Sequence, residues 1–69
     1  MNNNPPHFHA NYCEYTVVID IKTGEAVQGD FPRRQLKLLK EWCNVHRGEL
    51  LANWNKAQSS LPLNRIEPL

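Results

Sequence analysis

The chain has 69 residues and a mass of 8.0 kDa, enough for one small domain with a limited core. Its eight Lys and Arg residues against seven Asp and Glu residues give a net charge of +1. That balance disfavours a nucleic-acid partner, because polybasic binders depend on many phosphate contacts. A hydrophobic fraction of 41% excludes a disordered tail.

The sequence also bears on compartment and assembly. No apolar run approaches about 18 residues, and no signal-peptide pattern opens the chain, so we predict no membrane partner. Secreted domains of this size usually carry roughly two to four disulfides, whereas Cys13 and Cys43 are the only cysteines. We therefore expect a cytoplasmic protein. Because a core this small often gains stability by self-association, we also expect a homo-oligomer.

The first half of the chain predicts a small antiparallel meander over residues 7–29. After an irregular lead-in over residues 1–6, apolar residues Phe8, Ala10 and Tyr12 alternate with polar ones, which is typical of a half-buried strand. Residues 15–21 are rich in β-branched residues and predict the strongest strand.

The turns of the meander are also readable. A tight turn is expected near Cys13 and Glu14, and a second turn over residues 22–25 has Gly24 at a position suited to positive φ. Residues 26–29 then supply a short third strand, so the sheet has two to three strands.

The second half predicts a helical region over residues 31–59. Asp30 is the expected cap, and Pro32 suits the first helical turn. The helical spacing of three and four is carried by Leu36, Leu39, Cys43, His46, Leu50, Trp54 and Ala57. Because the pattern continues through Gly48, it predicts either one long helix or two helices kinked at residues 47–48.

Residues 60–69 are expected to form an extended tail, since serines and Pro62 end the helical pattern. The predicted fold class is therefore α+β: a small antiparallel sheet packed on one long or kinked helix, within a single domain over residues 1–69.

The histidines suggest two kinds of chemistry. His7 and His9 share one face of a strand, and Cys43 and His46 share one face of a helix. If the helix packs on the sheet, these four side chains could form a tetrahedral metal site. The alternative is that the strand histidines make ordinary hydrogen bonds and Cys43 fills core volume. No cofactor is predicted.

A basic cluster opens the helical region at Arg33 and Arg34. Together with His7, His9 and His46, it would provide the base, the acid and the phosphate-stabilising charge of a metal-free ribonuclease, or a phosphate-binding site. The alternative is a solvated helix face whose charges pair with nearby carboxylates. No catalytic residue is assigned on spacing alone.

An ordered series of motifs covers nearly the whole chain: N-P-P-H-F-H-A at 4–10, G-D-F-P-R-R at 29–34, E-W at 41–42 and H-R-G-E-L-L-A-N-W at 46–54. With L-P-L and I-E-P-L in the tail, this series resembles the bacterial domain of unknown function 4160. The resemblance implies a small prokaryotic cytoplasmic protein, often encoded beside a second small protein in a toxin–antitoxin-like pair. It implies no defined activity.

The resemblance implies that the characteristic polar residues of that family's motifs correspond to His7, His9, Arg33, Arg34 and His46. Cys13 and Cys43 do not correspond to its motif positions, which disfavours a cysteine-containing metal site. Gly48 stands where the family more often has an aspartate. Family members usually begin with a further apolar strand before the N-P-P-H-F-H-A motif, whereas this chain starts at the motif. The missing strand would leave backbone groups unpaired and apolar side chains uncovered, so we expect this chain to associate through its sheet edge or its helix.

Three function classes follow from these patterns. The leading hypothesis is a protein-interaction module that binds a second copy, or the second small protein of a toxin–antitoxin-like pair. The second is a small ribonuclease or phosphate-binding protein. The third is a metal-binding fold.

Overall fold

Three strands are followed by two helices along the chain. A computed structural model describes residues 5–59. Its elements are β1 (His7–Tyr12), β2 (Tyr15–Asp20), β3 (Ala26–Gly29), α1 (Arg33–Val45) and α2 (Arg47–Gln58). The α+β class and the predicted meander are confirmed. The predicted tail over residues 60–69 lies outside the described residues.

The sheet is antiparallel, with β2 in the centre of the order β1-β2-β3. Phe8 faces Ile19 across the first pair of strands, and Ala10 faces Val17. The predicted tight turn at residues 13–14 joins these strands, and Cys13 adopts a φ of 54° there. The alternation read from the sequence therefore gives the correct inward face of β1.

Gly29 is required where β3 meets β2. Its φ is +89°, and a Cβ atom at this position would lie 2.3 Å from the carbonyl oxygen of Thr16. An irregularity in the register between Val18 and Ile19 accompanies this close approach. The third strand is thus short and distorted, as bulged edge strands often are.

The predicted start of the helical region is corrected in its details. Pro32 is the cap residue, with a ψ of 141°, and Arg33 is the first helical residue. Asp30 does not cap α1, since no side-chain cap hydrogen bond is present. Its backbone N–H instead donates to the carbonyl of Thr16 at 3.1 Å, which keeps Asp30 beside the sheet.

The second of the two helical alternatives is correct, because the helical region is divided. The break falls at His46, one residue before the predicted position, with φ −104° and ψ 18°. The N–H of His46 donates to Trp42, and its carbonyl accepts from Leu50. Gly48 therefore lies inside α2.

The core lies between one face of the sheet and the two helices. Its buried side chains come from the central strand and from both helices: Val17, Ile19, Ile21, Leu39, Cys43 and Leu50. Phe8, Trp42 and Trp54 pack against it and stay partly exposed. Over the stretch from Pro5 to Ser59, no helix is long and apolar enough to cross a membrane.

Candidate functional site: the outer face and open edge of β1

The side chains of β1 divide between two faces of the sheet. Because Phe8 and Ala10 face buried residues of β2, they point toward the helices. His7, His9 and Asn11 alternate with them and point to the opposite, outer face. The structure thus places the two strand histidines on one face, as predicted.

The backbone of β1 divides in the same way. The N–H of Ile21 donates to the carbonyl of Pro6 at 3.0 Å, so these residues form a hydrogen-bonded pair. In an antiparallel ladder such pairs recur at every second residue. The backbone groups of Phe8, Ala10 and Tyr12 therefore hydrogen-bond to β2. The backbone N–H and C=O groups of the alternate residues, His7, His9 and Asn11, point away from β2.

We call the outward backbone groups of His7, His9 and Asn11 the open edge of β1. Within the described part of the chain, no strand pairs with this edge. Unpaired strand edges are templates for the addition of another strand. The described sheet therefore leaves the backbone groups of the open edge unused.

An apolar groove of about 190 Å³ lies between β1 and α2. Phe8, Leu50, Trp54 and Ala57 contribute apolar walls, and Ile21 lies beside them. We call this cavity the edge groove, because His7 and Phe8 of the edge strand also line it. A strand added to the open edge would carry side chains next to this groove.

His7 and His9 form a close pair on the outer face. Their ring centroids are 5.5 Å apart, and the rings meet at 75°. The Nδ1 atom of His7 donates to the carbonyl of Pro5 at 2.9 Å, and the indole of Trp54 lies 4.9 Å from the His7 ring. His7 is therefore held from both sides, whereas His9 is exposed.

A second cavity, of about 260 Å³, opens on the outer face beside His7. Asp20 lines it and is the cross-strand partner of His7. One carboxylate oxygen of Asp20 accepts backbone N–H bonds from Lys22 at 2.8 Å and from Thr23 at 3.2 Å. The carboxylate is thus oriented by the turn that follows β2.

His46 lies in a different environment. Its Nδ1 atom is 2.6 Å from Oε1 of Glu49, one helical turn along. Its ring lies 5.2 Å from the indole of Trp42. The His46 side chain is only 17% exposed. His46 lies at the break between α1 and α2, and its contacts are with residues of these two helices.

The arginines lie at the far end of β1 from His7. Arg33 and Arg34 are exposed at the start of α1. The next residue, Gln35, donates to the hydroxyl of Tyr12 at 3.5 Å, and Tyr12 is about 17 Å from His7 along the strand. Among the contacts that the structure describes, none joins the histidine pair to either arginine or to His46.

The four-residue metal site is not formed. In the described range, which includes all three histidines, no group of three or more His, Cys, Asp or Glu side chains is placed to hold a metal ion. Cys43 is buried, and its thiol donates to the carbonyl of Ile21 at 3.7 Å. Burial raises the pKa of Cys43, and the guanidinium of Arg47 opposes this rise. Cys43 is a core residue here, and the described residues do not bring the four side chains of the tetrahedral hypothesis together.

Three residues around the histidine pair were missed by sequence reasoning. Asp20 could have been found, because a two-residue turn at 13–14 sets it opposite His7. The carbonyl of Pro5 and the indole of Trp54 had no local signal. Their contacts depend on how Pro5 and α2 pack against β1.

Comparisons with known proteins give one family. The family model described as "Domain of unknown function (DUF4160)" matches residues 1–55, which confirms the resemblance drawn from the motifs. No curated protein and no solved structure matches the chain.

Proposed function

The chain belongs to the DUF4160 family, and we propose that it is a protein-interaction module that binds an extended strand along the open edge of β1. The occupant we propose is β1 of a second copy. The outward backbone groups of the edge strand, beside an apolar groove, carry this proposal. A net charge of +1 leaves little repulsion between copies.

The geometry of β1 favours one register for the proposed pairing. A two-fold axis at His9 sets His9 opposite its own copy and sets His7 opposite Asn11. All three residues have outward N–H and C=O groups, so the three facing pairs would exchange about six hydrogen bonds.

Neighbouring registers are poorer. A shift of two residues in one direction sets Asn11 opposite Pro5, which has no N–H to donate. The shift in the other direction sets His7 opposite Cys13, whose φ of 54° belongs to the turn. The register centred on His9 therefore forms the most hydrogen bonds.

The same register supports burial of apolar surface. It brings Tyr12 of the second copy opposite Pro6, next to the edge groove. Tyr12 is 42% exposed in one copy. An aromatic side chain at the mouth of an apolar groove buries apolar surface of both copies. Each Å² of apolar surface removed from water contributes about 25 cal/mol of favourable free energy to association.

The other edge of the sheet is a weaker candidate. β3 has four residues, all exposed, and its register with β2 is irregular. Short, bulged edges resist strand addition. A heterologous partner, such as the second protein of a toxin–antitoxin-like pair, would compete for the open edge of β1. We rank it second, because no contact among residues 5–59 favours it over a second copy.

Sedimentation equilibrium tests the proposal. The wild-type chain is expected to be a dimer at tens of micromolar. His9→Pro removes an outward N–H that β2 does not use, so it should leave the ladder intact and abolish the dimer. Val27→Pro, on the opposite edge strand, is the matched control and should remain dimeric. Circular dichroism confirms that each variant is folded.

Two results would contradict the proposal. A monomeric wild-type chain at these concentrations excludes self-pairing. A folded His9→Pro variant that still dimerises shows that another surface joins the copies.

A further inference from the structure

We propose that His7 and His9 chelate one divalent transition cation on the outer face of β1. The cation belongs to the class that prefers imidazole nitrogen, such as Ni²⁺, Cu²⁺ or Zn²⁺. This site uses side chains of one chain rather than the backbone groups of the open edge, so each copy carries the histidine pair with or without the proposed dimer. It also differs from the four-residue site, which includes Cys43 and His46.

The separation of the two rings suits a shared cation. A metal–nitrogen bond of about 2.1 Å places the cation about 3.2 Å from each ring centroid. Two imidazoles at a tetrahedral angle then have centroids about 5.2 Å apart. The observed separation is 5.5 Å. His9 is exposed, so its ring can rotate toward the shared cation.

The hydrogen bond of His7 prepares it as a ligand. A carbonyl oxygen only accepts, so the Nδ1 atom of neutral His7 carries the proton in its bond to Pro5. The lone pair is therefore on Nε2. Metal-binding histidines typically donate their other ring N–H to a carbonyl or carboxylate in this way. The indole of Trp54 further restricts the ring.

The local charge favours a cation. Asp20, the cross-strand partner of His7, lines the adjacent cavity, whose other walls are Pro5, Val18, Val27 and Gln28. These walls carry no positive charge. Since the described residues offer no third ligand in place, water fills the remaining coordination positions, and the site is open and exchangeable.

His46 provides an internal control. Its Nδ1 atom is bonded to Glu49, and its ring packs against Trp42. It lacks a second imidazole within reach in the part of the chain that the structure describes. Binding at the pair and binding at His46 can therefore be separated by substitution.

The test is calorimetric titration of the untagged full chain with Zn²⁺, whose tetrahedral preference matches the observed ring separation. One Zn²⁺ per chain is expected. His7→Asn and His9→Asn should each weaken binding by about tenfold or more, because even loss of an outer-shell partner costs that much. His46→Asn should bind as the wild type does.

A second measurement needs no variant. Paramagnetic Co²⁺, which accepts the same tetrahedral geometry as Zn²⁺, should broaden the imidazole proton resonances of His7 and His9 before those of His46. Absence of binding, equal binding by the His9→Asn variant, or broadening that begins at His46 would each overturn the proposal.

Discussion

The Nε atom of Arg47 donates to the carbonyl oxygen of Ile21 at 2.7 Å. This bond ties the first residue of α2 to the chain just beyond β2. The thiol of Cys43, from α1, donates to the same carbonyl, and Arg47 also bonds to the side chain of Asn44. The carbonyl oxygen of Ile21, just beyond the central strand, thus accepts hydrogen bonds from side chains of both helices.

Replacing Arg47 should destabilise the fold. Arg47→Ala removes a charge-assisted bond to Ile21, whose side chain is buried, and should lower the free energy of unfolding by about 1.5–3 kcal/mol. Arg34→Ala is the control, because Arg34 is exposed on α1. Urea denaturation followed by circular dichroism measures both. Equal stability of the two variants would show that the Arg47 bond contributes nothing.

Two glycines should respond to alanine with opposite signs. Gly48 lies in α2, and an added Cβ would meet no atom within 4 Å. Gly48→Ala should therefore stabilise the protein by about 0.5–1 kcal/mol through helix propensity. Gly29→Ala should destabilise it by about 1–3 kcal/mol or more, because the added Cβ would collide with the carbonyl of Thr16. Thermal unfolding measures both changes. If both variants were stabilised, or both destabilised, the prediction of opposite effects at Gly48 and Gly29 would be contradicted.

The two thiols should differ in reactivity. Cys13 is exposed in a turn, whereas Cys43 is buried. A thiol reagent should label Cys13 rapidly in the native protein and should label Cys43 only on unfolding. Peptide mapping identifies the labelled residue. Rapid labelling of Cys43 in the native state would mean that α1 opens readily from the sheet.

Burial of Cys43 also predicts a pH dependence. Its folded pKa is raised above the ordinary value of 9.0. The unfolded chain therefore loses the thiol proton first, and the free energy of unfolding should decline as the pH rises above 9. Cys43→Ala should have a lower stability throughout but a shallower alkaline decline. Parallel declines in the two proteins would exclude this contribution.

The sheet was predictable because its signals are local. The alternation from Phe8 to Tyr12, the β-branched run of β2 and the glycine of the second turn each predict structure from neighbouring residues. Gly24 indeed adopts a φ of +76°. The pairing of His7 with His9 on one face follows from the same period of two.

The remaining features depend on contacts between distant residues. The hydrophobic period continues through residues 46–48, so it could not place the break at His46. Nor could it show that Asp30 would bond to Thr16 rather than cap α1. The predicted grouping of histidines with Arg33 and Arg34 needed the direction of α1 relative to β1, which no local pattern contains.

The register of the proposed dimer should be readable by cross-linking. A two-fold axis at His9 brings the two Cα atoms of that residue to about 5.5 Å, within the range of a disulfide. His9→Cys in a Cys13→Ser background should therefore form a covalent dimer on mild oxidation. Gln28→Cys in the same background, on β3, should remain monomeric on a non-reducing gel. If His9→Cys stays monomeric in a sample that sediments as a dimer, the copies pair in another register or through another surface.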